Sequence, residues 1–169
     1  ANFRNVTNSK LCTTLQNSDE LKVSTVEHLM AAFYITGIDN ILVEIDNSEI
    51  PIMDGSSKNF IELIFSIGVK SQTEKRKFIK VQNEFELKED SKKISIKPNN
   101  YTFDVNFEID YNNKIINKQN NHIDFYRDEL KDVYSSRTFC LFEDIEEIKK
   151  VGLAKGGSPD NAIVIKDNK

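Results

Sequence analysis

The adjacent pair Glu27 and His28 is the feature of this 169-residue sequence that is best suited to chemistry. A histidine nitrogen can hold Zn²⁺, and a neighbouring carboxylate can act as a base on water. The motif H-E-x-x-H is absent because position 32 is alanine, and a zinc site needs at least three protein ligands. From the residues alone, the pair is either the edge of a metal site or a helical histidine with a structural or surface role.

The residues around this pair predict a helix. Ser24 and Glu27 have the S-x-x-E spacing of a capping box, in which each side chain bonds the backbone N–H of the other. Good helix formers follow at residues 29–32, and Gly37 is suited to end the helix. The pattern predicts a helix over residues 25–36, with Glu27 in its first turn, where backbone donors are unpaired.

Other polar stretches allow more than one interpretation. Gly156, Gly157 and Ser158 could cradle a phosphate, but they lack the Lys-Ser/Thr of a P-loop, so a flexible turn is the alternative. Residues 137–139, Arg-Thr-Phe, could be a polar strand at a site or simply a short strand. The second histidine, His122, falls in a polar stretch that we interpret as a loop.

Hydrophobic periodicity predicts an α+β protein of two lobes. The first lobe is expected over residues 1–70 and the second over residues 78–169, with the charged stretch 71–77 as a linker. Further helices are predicted over residues 57–67, 127–134 and 142–151, and the first of them would end before Gly68. Strands are predicted over residues 10–15, 38–46, 78–81, 84–87, 94–97, 101–111 and 162–165. Turns or loops are predicted over residues 17–20, 112–121 and 154–158.

Composition excludes several classes of function. The net charge of −4 gives no general attraction for phosphate backbones, so nucleic acid is a poor partner. The two cysteines, Cys12 and Cys140, indicate reduced thiols in a cytoplasmic protein rather than a disulfide framework. No apolar run approaches the ~20 residues that a membrane span requires.

Several stretches, in order and with their spacing, resemble the UDP-3-O-acyl-N-acetylglucosamine deacetylases, the zinc amidases that commit Gram-negative bacteria to lipid A synthesis. The two most specific are T-V-E-H-L within the first predicted helix and P-I-M-D-G-S before the second. The full set is residues 11–15, 23–29, 37–40, 49–56, 136–139, 144–146 and 152–164. The resemblance covers nearly the whole chain and implies two lobes, each a β-sheet layered with helices, with the active site between them.

The resemblance also implies roles for individual residues. His28 matches a zinc ligand, Glu27 the general base, and Thr138 the residue that hydrogen-bonds the oxyanion. The positions that match substrate-binding residues are Leu11 and Cys12 near the glucosamine, Phe139 in the sugar site, Tyr111 near the uracil, and Ile145, Ala154, Gly157 and Ser158 along a passage for the acyl chain. The expected full-length enzyme is a cytoplasmic monomer that takes a UDP-acyl-glucosamine and Zn²⁺.

The sequence departs from the family pattern in what it lacks. The family's other two zinc ligands, a histidine and an aspartate, its histidine general acid and its substrate-binding lysine have no match here. We therefore expect an internal piece of the enzyme, of marginal stability, that by itself neither holds catalytic zinc nor deacetylates. The alternatives are a non-catalytic homologue that binds a UDP-sugar, a fusion with a 3-hydroxyacyl-ACP dehydratase, or, least favoured by the acidic charge, a ribosomal-type α+β binding module.

Overall fold

The structure is a computed structural model that describes residues 2–150, 152, 154 and 156–166. Helices and small sheets are mixed along the chain, so the predicted α+β class is confirmed. The chain divides into two compact units, one of Ala1–Lys70 with Leu130–Lys169 and one of Ser71–Glu129. The division into lobes 1–70 and 78–169 stays a prediction, because it refers to the two lobes that the family resemblance implies.

A three-stranded antiparallel sheet opens the first unit. Its strands are β1 (Val6–Asn8), β2 (Thr14–Gln16) and β3 (Lys22–Val23), in the order β1-β2-β3. The strand predicted over residues 10–15 begins only at Thr14, because Leu11 adopts a φ of +68°, which breaks the extended backbone. The predicted turn at residues 17–20 is confirmed, with the Asn17 side chain accepting from the N–H groups of the turn.

Two helices follow, and they pack against each other. Helix α1 (Glu27–Ile35) begins two residues later than predicted and buries Ala32 and Phe33. Gly37, with a φ of +73°, ends it as expected. Helix α2 (Lys58–Ile67) confirms the second predicted helix and ends at Gly68.

The strand predicted over residues 38–46 is wrong. The residues are β-branched and alternate, but no strand is assigned there, and Leu42 is 84% exposed. A strand needs a partner to accept its backbone hydrogen bonds, and within the described part of the chain no strand pairs with this stretch.

The residue that anchors α2 is Ile61, which is fully buried. Replacing Ile61 by alanine in the full-length protein is expected to lower the free energy of unfolding by about 2–5 kcal/mol, because a cavity remains where the side chain packed. Chemical denaturation measures this loss. Leu63→Ala is the matched control, since Leu63 is 54% exposed on the same helix and a surface change typically stays within about 0.5 kcal/mol. Equal losses for the two variants would contradict the burial of Ile61.

The second unit consists of two antiparallel hairpins. The first pairs β4 (Phe85–Glu89) with β5 (Lys92–Ile96), close to two of the predicted strands, and the second pairs β6 (Asp104–Asp110) with β7 (Lys118–Asp124). No strand forms over residues 78–81, so that prediction is wrong.

Strand β7 also corrects the loop predicted over residues 112–121. Its Asn-rich sequence disfavours a strand, but full register with β6 and a 3.0 Å ion pair between Lys118 and Glu108 hold it in place. His122 therefore lies in a strand and not in a loop.

The chain then returns to the first unit. Helix α3 (Lys131–Ser135) is shorter than predicted, and β8 (Phe139–Leu141) follows it. A 3₁₀ turn over Phe142–Asp144 leads into α4 (Ile145–Lys150), while the predicted last residue of this helix, Val151, lies outside the described residues. Strand β9 (Ile163–Ile165) confirms the last predicted strand and pairs in parallel with β8.

Two chain-wide observations complete the fold. Both cysteines are free, as predicted. Burial, and to a smaller extent the negative charge of Asp144, raises the pKa of the Cys140 thiol. Among the residues that the structure describes, none belongs to a helix long and apolar enough to cross a membrane.

Candidate active site

The Glu27 side chain is held by the bend just before β2 and not by a helix cap. Helix α1 has Val26 at its N-cap position, without any side-chain capping bond. Instead, the backbone N–H of Thr13 donates to Oε2 of Glu27 at 3.0 Å, and the Ser24 hydroxyl bonds the Thr14 hydroxyl at 3.0 Å. The predicted capping box is therefore wrong, because the segment next to the helix offers both side chains tertiary partners that compete with the cap.

This arrangement leaves half of the Glu27 carboxylate available. The side chain is half-buried, Oε2 is occupied by the Thr13 N–H, and Oε1 has no hydrogen-bond partner among the described residues. A carboxylate anchored at one oxygen has a fixed orientation while its other oxygen can still take a proton.

His28 follows Glu27 in the first turn of α1 and is also half-buried. Its imidazole makes no hydrogen bond to any part of the chain that the structure describes, so both ring nitrogens are open to a ligand or to solvent. If His28 had the structural role that the sequence left open, one ring nitrogen would normally be hydrogen-bonded to the protein.

The two residues predicted near the glucosamine, Leu11 and Cys12, precede Thr13, which is hydrogen-bonded to the start of α1. Leu11 is 60% exposed, Cys12 is half-buried, and the Cys12 thiol lies 3.8 Å from the Thr14 hydroxyl. Thr13, directly after them, bonds Glu27 and accepts from the Val26 N–H at 3.4 Å. The bend at residues 11–13 is thus attached to the start of α1.

Thr138 is fixed from both sides by its backbone. Its N–H donates to the carbonyl of Gly55 at 2.8 Å, and its carbonyl accepts from Ile163 at 2.9 Å. Its methyl group, Cγ2, lies 3.4 Å from where a Cβ on Gly55 would be, while its hydroxyl bonds no other described residue. Phe139 begins β8 directly after it, opposite Ile163 in β9.

The Asp-Gly-Ser turn that holds Thr138 is itself tightly bonded. Oδ1 of Asp54 accepts from the N–H and the hydroxyl of Ser56, at 3.1 and 2.8 Å, and the buried Ser56 hydroxyl accepts from the N–H of Lys58 at the start of α2. The Asp-Gly step signals a turn in the sequence, but nothing in the sequence identifies the turn as the support of Thr138.

Arg137 makes two contacts near the candidate site that the sequence did not reveal. Its Nε donates to the carbonyl of Asp54 at 2.6 Å, and its Nη2 donates to the carbonyl of Pro159 at 2.9 Å. The guanidinium thus joins the Asp-Gly-Ser turn to the loop before β9 through two backbone carbonyls.

The predicted acyl-passage positions lie along the connection from β8 to β9. Ile145 begins α4 and is half-buried, and Ala154 is exposed with a φ of +50°. Gly157 donates to the Ala154 carbonyl at 3.0 Å, and the Ser158 N–H donates to the Asn161 side chain at 2.8 Å. The N–H groups of Gly157 and Ser158 are therefore bonded within the turn and are not directed at a phosphate. This arrangement favours the interpretation of the Gly-Gly-Ser stretch as a turn.

Tyr111 and His122 belong to the second unit. Tyr111 follows β6, is 39% exposed, and donates its N–H to the Asn117 carbonyl at 3.1 Å. Nε2 of His122 lies 3.3 Å from a carboxylate oxygen of Asp104. Hydrogen bonds from Asn99 first and from His122 second lower the pKa of the Asp104 carboxyl.

Comparison with known proteins decides the family. The family described as LpxC, UDP-3-O-acyl N-acetylglycosamine deacetylase, matches residues 1–169. The chain belongs to the LpxC family. A Chromohalobacter salexigens protein named UDP-3-O-acyl-N-acetylglucosamine deacetylase is 44% identical over 99% of the chain, and a Helicobacter pylori protein of the same name is 36% identical over 97%. The chain spans about half the length of these relatives, 55% in each case.

The start of α1 was compared with what a Zn²⁺ ion requires of its protein ligands. His28 fits as one zinc ligand, because imidazole nitrogen suits Zn²⁺ and both ring nitrogens lack a described partner. The described residues contain no group of three or more His, Cys, Asp or Glu side chains arranged to hold a metal ion. At the start of α1, the described residues thus present one suitable ligand beside an anchored carboxylate.

Proposed function

We propose that this chain is part of a zinc-dependent hydrolase that deacetylates UDP-3-O-acyl-N-acetylglucosamine, the committed step of lipid A synthesis. The observation that carries the proposal is the Glu27–His28 pair at the start of α1, half-buried, with Glu27 anchored through one oxygen to the Thr13 N–H at 3.0 Å. Membership of the deacetylase family over the whole chain supports the same substrate class.

In the proposed mechanism, His28 is one of the residues that hold Zn²⁺. The chemistry that Zn²⁺ supplies when it is bound is Lewis-acid activation of water and of the amide carbonyl. Glu27 accepts the proton of the attacking water at Oε1, while the bond from Thr13 to Oε2 keeps the carboxylate in position.

Thr138 is the proposed oxyanion donor. An amide under attack develops negative charge on its oxygen, and a fixed hydroxyl that donates to this oxygen stabilises the transition state. Two backbone hydrogen bonds fix the main chain of Thr138, and its methyl faces Gly55, so the hydroxyl is left for this purpose.

The substrate positions follow the same proposal. Leu11 and Cys12 contact the glucosamine, and Phe139 lines the sugar site. Tyr111 contacts the uracil, and Ile145, Ala154, Gly157 and Ser158 line the acyl passage. The whole enzyme is proposed to act as a monomer in the cytoplasm, and the two free cysteines support the cytoplasmic location alone.

The 169 residues alone are proposed not to hold catalytic zinc and not to turn over substrate. A zinc site needs at least three protein ligands, and the described residues offer no group of three ligating side chains.

Metal removal from the full-length protein tests the proposal. Dialysis against a chelator is expected to abolish acetate release from UDP-3-O-acyl-N-acetylglucosamine, and one equivalent of Zn²⁺ is expected to restore it. His28→Ala should lower the bound zinc as well as turnover, while His122→Ala, in the second unit, should change neither. Substrate binding without turnover in the zinc-loaded protein would favour the non-catalytic homologue instead.

A further inference from the structure

Thr25 has a backbone conformation that its side chain disfavours. Its φ is +58°, in the left-handed region, and its side chain is branched at Cβ and 6% exposed. A β-branched residue in this region is an outlier that persists only when its surroundings hold it there. Such strain two residues before Glu27 calls for an identifiable restraint.

Glu49 provides that restraint. The Thr25 hydroxyl donates to Oε1 of Glu49 at 2.8 Å. The backbones on either side are also joined, since Ser24 and Glu49 form an isolated parallel bridge in which the Ser24 N–H donates to Ser48 and its carbonyl accepts from Ile50, at 2.9 and 3.0 Å.

The position of Thr25 determines what the restraint controls. Thr25 lies between this bridge and α1, and the helix, which has no side-chain cap, is otherwise attached at its start through the two hydrogen bonds of Thr13. Together with Thr13, the left-handed turn at Thr25 sets the direction in which the helix begins, and with it the directions of Glu27 and His28.

The different exposure of Glu49 and Thr25 distinguishes a role in positioning α1 from a contribution to the stability of the fold. Glu49 is exposed, so its carboxylate could be satisfied by water and gains little from the hydrogen bond. Thr25 is buried, and Glu49 is the only hydrogen-bond partner of its hydroxyl among the described residues. The loss of Glu49 should therefore affect the turn more than the core.

We propose that the hydrogen bond between Thr25 and Glu49 positions the Glu27–His28 pair for the reaction, with both Thr25 and Glu49 as positioning residues. The inference rests on the proposed deacetylase function for its kinetic consequence. It assigns no contact with substrate or metal to either residue.

Kinetics of the full-length zinc-loaded protein test the proposal. Thr25→Val keeps the branched shape and removes the donor, and Glu49→Ala removes the acceptor. Each is expected to lower kcat by about ten- to a hundredfold, because small misplacements of reacting groups carry losses of this size, with KM changed less than about twofold because substrate contacts are intact. The double variant should be no slower than the slower single variant, as expected for two partners in one interaction.

Conservative variants distinguish the effect of losing the Thr25–Glu49 hydrogen bond from the effect of changing the size of the side chains. Thr25→Ser keeps the hydroxyl and Glu49→Gln keeps an acceptor oxygen, so both should retain kcat within about threefold, as an intact hydrogen bond implies. Glu44→Ala, at an exposed carboxylate on the same segment with no described hydrogen-bond partner, is the matched control. An unchanged kcat in folded Thr25→Val, equal losses in the conservative variants, or additive losses in the double variant would overturn the proposal.

Hydrogen exchange gives a readout that needs no turnover. Peptides covering residues 24–36 should exchange faster in Thr25→Val and Glu49→Ala than in the parent protein or in Glu44→Ala. If the parent protein has no deacetylase activity, the proposed function fails, and this exchange alone decides the positioning role. Unchanged exchange would then overturn it.

Discussion

Replacing Glu27 by alanine in the full-length protein is expected to lower kcat by about 10²- to 10⁴-fold, the usual contribution of a general base, while the zinc content stays at one equivalent. The carboxylate is the only proposed acceptor for the water proton, and His28, which is proposed to hold the metal, is unchanged. Acetate release under saturating substrate and metal analysis of the same sample measure the two quantities.

Glu27→Gln separates the chemistry of Glu27 from its anchoring. The glutamine oxygen can still accept from the Thr13 N–H, which bonds Glu27 at 3.0 Å, but the amide cannot take a proton. Its loss of kcat should therefore match that of the alanine variant. Glu62→Gln, at an exposed carboxylate on α2, serves as the control and should retain full activity. A folded Glu27→Gln protein within threefold of the parent rate would remove Glu27 from the mechanism.

Replacing Gly55 by alanine is expected to lower the free energy of unfolding by about 2–5 kcal/mol, from left-handed strain and overpacking together. A Cβ at this position would lie 2.2 Å from the carbonyl oxygen of Asn161, and the φ of Gly55 is +86°. The obstructing atom belongs to the backbone of the loop before β9, which cannot move aside as a flexible side chain can. Chemical denaturation of the full-length protein measures the effect.

Gly68 provides a matched control for Gly55. Its φ is +85° with a ψ of 172°, a backbone conformation essentially confined to glycine, but a Cβ there would meet nothing within 4 Å, so Gly68→Ala carries the backbone strain alone, about 1–3 kcal/mol. Because Gly55 also bonds Thr138, we expect Gly55→Ala to reduce kcat beyond any loss of folded protein, and Gly68→Ala to leave kcat unchanged. Equal destabilisation by the two substitutions would contradict the close approach of Asn161.

The sequence predicts the elements whose signals are local. Helix α2 has a strong periodic pattern and a terminal glycine, and it forms within a residue of the prediction. The stretch 38–46 carries an equally clear strand pattern, yet it forms no strand, because pairing requires a partner that a pattern along one segment cannot supply. Strand β7 is the opposite case, since pairing with β6 overrides an Asn-rich composition that disfavours strands.

In the candidate site, too, the sequence predicted the features that depend on residue type and missed those that depend on contacts between distant segments. The residue types of Glu27 and His28 suggested their chemistry, and the family resemblance suggested their roles. The anchoring of Glu27 by Thr13, of Thr25 by Glu49, and of the Asp-Gly-Ser turn by Arg137 depends on contacts between distant residues. The capping-box spacing was misleading for this reason, because local and tertiary partners competed for the same side chains.

Under the proposed function, the parallel pairing of β8 with β9 separates the positions of the acyl passage from Thr138. Register between Phe139 and Ile163 fixes both ends of the connection, while Ile145, Ala154, Gly157 and Ser158 all lie within it. Doubling the length of a flexible connection costs only about 0.6 kcal/mol in closure entropy. With the proposed roles, insertions between α4 and Ser158 are expected to change the length of the acyl chain that is accepted, while Thr138 stays where the Gly55 carbonyl holds it.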